Sequence, residues 1–238
     1  MKITGDDKKI LKEFERHLGT TFKRREHLKR ALMHKSYGNE NKYPYTDHNE
    51  RYEYLGDAVL ELAISHLLFT AYPDYTEGDL SKLRAAIVNE DQLAILAREI
   101  HLGDYMFLGK GEDQTGGRDK PSLLSDAYEA VLGAIFLDRG FEKALKVIRR
   151  NFENIIKHVG GAGYVKDYKT RLQEVVQGRF RSIPRYKMSR EFGPDHSKTF
   201  EVNLFVSGRH ISVGQGASKK AAEQDAARQA LEKLENKE

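Results

Sequence analysis

The sequence of 238 residues contains no cysteine, and this absence excludes several kinds of site. Disulfide bonds, thiolate metal ligands and a cysteine nucleophile are all impossible, so any chemistry must come from other side chains. The lack of cysteine fits a reducing compartment. The first residues read MKITGDDKK without an apolar run behind them, so we expect no secretory signal.

Long hydrophobic runs and nucleotide motifs are also missing. The most apolar stretch, residues 58–69, is interrupted by Glu61, Ser65 and His66, and it is shorter than the roughly 20 apolar residues that span a bilayer. Residues 108–111 read LGKG but lack the spacing of a phosphate-binding loop, so no nucleotide cofactor is expected. The histidines form no H-x-x-x-H or H-E-x-x-H pair, which argues against a zinc hydrolase. We therefore predict a cytoplasmic protein without a membrane partner.

The charge that is present is unevenly distributed. Residues 166–238 contain 15 Lys and Arg against 10 Asp and Glu, whereas residues 1–165 contain 25 against 26. The basic excess therefore lies entirely in the C-terminal third. This asymmetry indicates a module that binds a polyanion joined to a nearly neutral module.

The hydrophobic periodicity changes at the same place. Helical spacing fills the first part of the chain, and the glycine-rich segment HVGGAGY then marks a boundary. Beyond it, one helix, three short alternating strands and an alanine-rich helix follow. The prediction is an all-α domain at residues 1–159, a glycine-rich linker at 160–165 and a small α+β domain of α-β-β-β-α order at 166–236.

Within the first part, we predict helices at residues 8–18, 25–35, 49–72, 77–100, 121–140 and 141–159. Asp47 or Asn49 can cap the third of these helices. Residues 109–120 are polar and rich in glycine, so they are predicted to form a loop.

The predicted helix at residues 49–72 carries an acidic row. Glu50, Glu53 and Asp57 are spaced three and four residues apart, so they share one face of the helix. A second predicted helix carries Asp126 and Glu129, also three residues apart. We expect the other face of the first helix to fill the core through its apolar side chains, which are Tyr54, Leu55, Ala58, Val59 and Leu62.

Carboxylates that cluster in this way repel one another and are costly to bury. A hard divalent cation removes the repulsion, and oxygen ligands suit Mg²⁺, with Mn²⁺ as a substitute. Two such ions about 4 Å apart can activate a water and stabilise the leaving oxygen of a phosphodiester. Acids at these spacings are common on helices, however, and by spacing alone ordinary surface ion pairs are an equal alternative.

The amino-acid sequences of these segments resemble the motifs of one protein family. NERYEYLGDAVL resembles the signature of the ribonuclease III family, usually written NERLEFLGDAVL, with Tyr52 and Tyr54 where leucine and phenylalanine are commoner. ALMHKSY, KLRAAIVNE and SDAYEAVLGAIFLD also resemble segments of that family, in the expected order. The resemblance covers nearly the whole chain.

The resemblance implies a Mg²⁺-dependent endonuclease that cuts double-stranded RNA and leaves 5′-phosphates, 3′-hydroxyls and short 3′ overhangs. It also implies a homodimer and, as substrates, ribosomal precursors, some messengers and regulatory duplexes. The implied metal ligands are Glu53, Asp57, Asp126 and Glu129. Asp57 and Glu129 are the implied catalytic pair, and Glu50 and Glu77 support the site or the subunit interface. No family motif covers Glu61, which is interpreted as solvated or ion-paired.

The C-terminal segments DYKTRLQEVVQ, GPDHSKTFEV and ASKKAAEQDAARQAL resemble a double-stranded RNA-binding domain. Such a domain spans about 16 base pairs through two minor grooves and the phosphates between them. By charge alone, the two lysines at the start of the last helix are equally well explained as a solvated helix end. The resemblance implies RNA contacts by Gln173, Glu174, Pro194, His196, Ser218, Lys219 and Lys220.

Two alternatives belong to other functional classes. A protein that binds duplex RNA without cutting it would be free to lose its carboxylates, yet Glu53, Asp57, Asp126 and Glu129 are all present. A di-iron carboxylate protein needs Glu-x-x-His pairs, which neither Glu53 nor Asp126 begins.

Overall fold

The computed structural model describes residues 3–159, 168–194 and 198–235. The chain divides into two compact units, Met1–Gly161 and Ala162–Glu238. The predicted linker at residues 160–165 lies outside the described residues, so the domain bounds remain predictions.

The N-terminal unit is built from α-helices. Short 3₁₀ turns at Tyr45–Asp47 and Gly117–Asp119 join some of them. In chain order the helices are α1 (Gly5–Leu18), α2 (Arg25–Ala31), α3 (Lys35–Glu40), α4 (Glu50–Ala71), α5 (Glu77–Ile87), α6 (Glu90–Glu99), α7 (Leu102–Tyr105), α8 (Lys110–Gln114), α9 (Pro121–Arg139) and α10 (Phe141–Val159).

Several helix ends follow local chemistry. Thr76 forms a capping box with Asp79 at the start of α5, and Gly19 ends α1 in the left-handed region at a φ of 64°. Pro121 occupies the first turn of α9. The predicted side-chain cap of α4 is wrong. Asn49 has helical backbone angles and its side chain makes no capping bond, and Asp47 pairs with Arg30 at 3.0 Å instead.

The predicted helix at residues 25–35 is interrupted after Ala31 by tertiary hydrogen bonds. Asn49 donates its backbone N–H to the carbonyl of Met33 at 2.8 Å, and His34 donates to the carbonyl of Phe107 at 3.1 Å. These bonds to distant segments replace the helical ladder, so α2 and α3 are separate helices.

Two other predictions are corrected by local structure. The pattern at residues 77–100 splits into α5 and α6, because Asn89 is extended and its side chain accepts a hydrogen bond from the N–H of Gln92 at 3.0 Å. The predicted loop at residues 109–120 contains α8 and a 3₁₀ turn. Arg118 ties this segment to the carbonyls of Gly103 and Met106 at 2.8 and 3.0 Å.

Helices α4 and α9 pack on each other at the centre of the unit. The face of α4 that turns inward contains Gly56, Val59 and Leu60, whereas Tyr54 is 82% exposed and Leu62 is 58% exposed. The predicted core face is therefore wrong except for Val59 and the half-buried Leu55. Of the described helices, α4 alone has the length and hydropathy of a membrane span, but these measures do not distinguish a span from a core helix.

The C-terminal unit is a three-stranded antiparallel sheet of order β1-β2-β3 with two helices on one face. Leu172 and Val176 of the first helix pack against Leu204 and Ala226. Gly214 lets the last helix approach the sheet closely, since a Cβ on this residue would lie 2.1 Å from the backbone nitrogen of Ala226. The elements are α11 (Tyr168–Phe180), β1 (Arg185–Phe192), β2 (Thr199–Val206), β3 (Arg209–Gly216) and α12 (Lys219–Glu235). The predicted fold class is confirmed.

Candidate active site and RNA-binding surface

Two glycines allow the backbones of α4 and α9 to touch. A Cβ on Gly56 would lie 1.8 Å from the carbonyl oxygen of Glu129, and one on Gly133 would lie 2.3 Å from the carbonyl oxygen of Tyr52. No side chain fits between the helices at this crossing. Asp57 follows the first glycine directly, so the crossing brings the acidic rows of the two helices to one place.

The electrostatics of these acids show that they act on one another. Burial, followed by the charges of Asp57, Glu53 and Asp126, raises the pKa of Glu129 to about 8. Burial and then the charges of Asp126 and Glu50 raise the pKa of Glu53, and burial also raises that of Asp126. The charges of Asp57, Glu53 and Asp126 therefore act on Glu129 where α4 and α9 cross.

These carboxylates have few partners in the described part of the chain. The side chains of Glu53, Asp57 and Glu129 make no hydrogen bond or ion pair there, and Asp126 accepts one long hydrogen bond from Ser125 at 3.5 Å. Across the described residues, no three His, Asp or Glu side chains form a closed metal-ligand set. A set of oxygen donors alone fits a hard divalent cation.

Glu50 is held differently at the edge of the cluster. Its carboxylate accepts hydrogen bonds from Lys35 Nζ at 3.2 Å and Tyr45 Oη at 3.4 Å, and His48 Nδ1 lies 3.8 Å away. Burial raises the pKa of Glu50, but the bond from Lys35 and the charge of His48 outweigh it and leave this pKa below its usual value. Glu50 is therefore held by partners of its own at the start of α4, while its charge still raises the pKa of Glu53 and Asp126.

Glu77 lies outside the cluster, and Glu61 lies at its edge, where its charge adds to those that raise the pKa of Glu129. Glu77 is exposed at the start of α5, where it accepts a hydrogen bond from Ser81 at 3.0 Å. It lines a groove of about 430 Å³ together with Phe69. Glu61 Oε2 lies 3.9 Å from Arg84 Nη1, which confirms its interpretation as an ion-paired residue.

Sequence reasoning missed three contributors to the site. Gly56 and Gly133 lie inside apolar helices, and a glycine at such a position is a signal of close backbone approach that could have been used. No local sequence feature indicated that Lys35 would contribute to the site. Its approach to Glu50 depends on the backbone bonds that separate α2 from α3.

In the C-terminal unit, the residues predicted to contact RNA lie at several different places. Lys219 and Lys220 are exposed in the first turn of α12, and Ser218 caps that helix by accepting a bond from the N–H of Ala221 at 3.2 Å. Gln173 and Lys220 line one cavity of about 500 Å³. The remaining predicted contacts are Glu174 and Pro194, which are exposed, and His196, which lies outside the described residues.

Comparison with protein families matches both units. Residues 25–156 match the model described as Ribonuclease-III-like, and residues 168–234 match the double-stranded RNA binding motif.

Individual relatives extend over nearly the whole chain. Ribonuclease 3 of Syntrophobacter fumaroxidans is 50% identical over 210 residues, 86% of each chain. Ribonuclease 3 of Myxococcus xanthus is 45% identical over 238 residues, covering 98% of this chain and 92% of that one. A crystal structure of the nuclease domain of ribonuclease III from Campylobacter jejuni matches with a TM-score of 0.55 and 44% identity, covering 60% of this chain and 94% of that one.

These matches define the class as an endoribonuclease that carries a double-stranded RNA-binding motif. The chain belongs to the ribonuclease III family.

Proposed function

We propose that the chain is a Mg²⁺-dependent endoribonuclease that cleaves double-stranded RNA to products with 5′-phosphates, 3′-hydroxyls and short 3′ overhangs. The observation that carries this proposal is the group of four carboxylates on the crossing helices α4 and α9. Glu53, Asp57 and Glu129 make no hydrogen bond in the described part of the chain, and the charges of the group raise the pKa of Glu53 and Glu129. Mn²⁺ is the expected substitute, and no nucleotide cofactor is required.

Glu53, Asp57, Asp126 and Glu129 would hold the metal, with Asp57 and Glu129 nearest the reacting phosphate. Bound Mg²⁺ supplies the positive charge that activates a water and stabilises the developing charge on the phosphate. Because its pKa is about 8, Glu129 holds a proton at neutral pH when no cation is present, and it must release this proton to become a ligand. Glu50 supports the site through its bond to Lys35.

The C-terminal unit would bind the double-stranded RNA. We place its bounds at residues 166–236, after the nuclease domain at 1–159 and the linker at 160–165. The cellular substrates would be ribosomal RNA precursors, some messengers and regulatory duplexes in the cytoplasm. The proposed RNA contacts are Gln173, Glu174, Pro194, His196, Ser218, Lys219 and Lys220.

We also propose that two copies form a homodimer, so that each strand of the duplex meets one carboxylate cluster. Tyr54, Leu62 and Phe69 on α4 are 82%, 58% and 72% exposed, and exposed apolar side chains on one helix favour a protein contact. Glu77 lies in the groove beside Phe69. Another structure of the ribonuclease III nuclease domain from Campylobacter jejuni is described as showing structural flexibility in a region involved in dimer formation. Sedimentation should give a dimer, and Leu62→Glu should give a monomer.

A cleavage assay tests the enzymatic proposal. End-labelled duplex RNA is incubated with the protein in Mg²⁺ or in EDTA, and Glu129→Gln is compared with Glu61→Gln. Glu61 is the matched control, since it lies on the same helix as Asp57 but outside the four-carboxylate group. Cleavage should require Mg²⁺, should persist in Glu61→Gln and should fall by at least about a hundredfold in Glu129→Gln.

A gel-shift assay on the same samples separates binding from chemistry. Glu129→Gln should still shift the duplex, because the RNA contacts lie in the other unit. A duplex that is shifted but uncut in every lane would contradict the enzyme and leave a duplex-binding protein.

A further inference from the structure

The outer face of the C-terminal sheet carries a second charged surface. Helices α11 and α12 cover the other face of the sheet, and Arg185, Lys187 and His210 on the outer face are exposed. Arg185, Phe205 and His210 are cross-strand neighbours in one row, and Lys187 and Asn203 form part of the next row. These rows lie near the turn between β2 and β3, at the end of the sheet opposite to the start of α12.

Two cations of this face lack protein partners. Arg185 and Lys187 are exposed, and in the described part of the chain they make no hydrogen bond or ion pair. Arg190, by contrast, pairs with Glu201 at 3.0 Å. Unpaired cations close to one another attract a polyanion.

An aromatic ring lies among these cations. Phe205 is partly exposed and meets the ring of His210 at a centroid distance of 5.4 Å. Arg185, Lys187 and Phe205 line a cavity of about 740 Å³ together with Ile183, which is 61% exposed. The face therefore combines cations for phosphates with a flat apolar surface for a base.

We propose that this face, made by Arg185, Lys187, Phe205 and His210, binds single-stranded RNA that adjoins a duplex. Proteins that bind single strands pair a basic groove with aromatic rings on which unpaired bases stack. A duplex keeps its base faces covered, so it cannot use Phe205. An acidic protein would use the cations but would leave the ring without a partner.

Anisotropy measurements on the full chain in EDTA, where metal-dependent cleavage is stopped, test this proposal. The probes are a fluorescent 12-residue oligouridine and a blunt 20-base-pair RNA duplex. Arg185→Gln/Lys187→Gln should bind the oligouridine about tenfold more weakly, with a log–log salt slope shallower by about 1.4. Lys219→Gln/Lys220→Gln should weaken duplex binding more than oligouridine binding.

Phe205→Leu tests the stacking step. Leucine keeps an apolar side chain at this position but removes the ring, so oligouridine binding should fall about tenfold. Duplex binding by the same sample shows that the domain is folded. The proposal is overturned if wild type does not bind oligouridine, or if Arg185→Gln/Lys187→Gln binds it as wild type does. Unchanged binding by Phe205→Leu would also overturn it and would leave a cationic surface suited to an acidic protein.

Discussion

The two units of this chain hold their functional charges in opposite ways. In the N-terminal unit, Glu53, Asp126 and Glu129 are partly buried beside two helices in backbone contact, and their pKa values are raised. In the C-terminal unit, Lys219 and Lys220 are exposed at a helix start. The acidic site therefore depends on core packing, whereas the basic surface depends on exposed charge. Substitutions should change folding and chemistry together in the first unit, but RNA affinity alone in the second.

Two ion pairs of the same length show the same contrast. Lys29 Nζ lies 2.7 Å from Asp7 Oδ2 with both side chains buried, and Lys169 Nζ lies 2.7 Å from Glu223 Oε2 with both side chains partly exposed. Distance alone does not separate these pairs. The difference is the cost of leaving the acid behind when the lysine is removed, since water can reach Glu223 but hardly reaches Asp7.

The largest effect on folding is expected from Lys29→Met. It leaves the carboxylate of Asp7 buried without its partner, which should lower the free energy of unfolding of the N-terminal unit by about 3–5 kcal/mol. Lys169→Met is the matched control, with an expected loss of about 1 kcal/mol or less in the C-terminal unit. Calorimetry that resolves the two transitions would measure both. Equal losses would contradict the contrast between the units.

The same variant should change the acid dependence of stability. Burial raises the pKa of Asp7, but the hydrogen bond from Lys29 and those from Thr4 outweigh it, so this pKa lies below the ordinary 3.8. A carboxylate whose pKa is lower in the folded state than in the unfolded state stabilises the fold at pH values above the unfolded-state pKa. This contribution is lost as the pH falls through the folded-state pKa. Lys29→Met should remove this acid-labile contribution, which thermal melts between pH 3 and pH 6 would detect.

The second largest effect on folding is expected from Gly56→Ala. The added Cβ would lie 1.8 Å from the carbonyl oxygen of Glu129, so the helices must separate, at a cost of about 1–3 kcal/mol or more. Cleavage should fall as well, because the carboxylates move apart. Gly78→Ala is the control, since its Cβ would meet only Thr76 Oγ1 at 3.9 Å. Urea unfolding and cleavage rates that match for the two variants would refute the role of the crossing.

These glycines also show what the sequence predicts and what it does not. The spacing of Glu53, Asp57, Asp126 and Glu129 was equally compatible with surface ion pairs, and the family resemblance singled them out as ligands. The ends of α1, α5 and α9 follow local features at Gly19, Thr76 and Pro121. The inward face of α4 was mispredicted because close contact at Gly56 outweighed the burial of Tyr54 and Leu62. The break after Ala31 depends on bonds to Asn49 and Phe107, which local patterns do not report.

A smaller effect is the pH dependence caused by Glu129. Its folded-state pKa of about 8 lies above the ordinary 4.5, so between these values the folded state holds a proton that the unfolded state has lost. Stability in EDTA should therefore fall as pH rises across this interval, by up to about 1.4 kcal/mol per pH unit. Thermal melts from pH 5.5 to pH 8 would measure the slope.

Glu129→Gln should flatten that dependence, since an amide does not titrate. Added Mg²⁺ should restore stability near pH 8 in the wild type more than in the variant, because the ion compensates the ionised carboxylate. Parallel pH curves for the two proteins would show that Glu129 titrates at its ordinary pKa.

The smallest effect on folding is expected from Lys219→Gln/Lys220→Gln. Both side chains are exposed, so the free energy of unfolding should change by less than about 0.5 kcal/mol. Duplex affinity should nevertheless fall, and the plot of log K against log salt should become shallower by about 1.8 if each lysine meets one phosphate. Lys233→Gln is the control on the same helix, since Lys233 donates to the carbonyl of Ile211 at 2.9 Å. An unchanged melting temperature together with a shallower salt slope for Lys219→Gln/Lys220→Gln would show that these charges bind RNA without contributing to the core. Equal salt slopes for this variant and Lys233→Gln would show that Lys219 and Lys220 do not contact RNA.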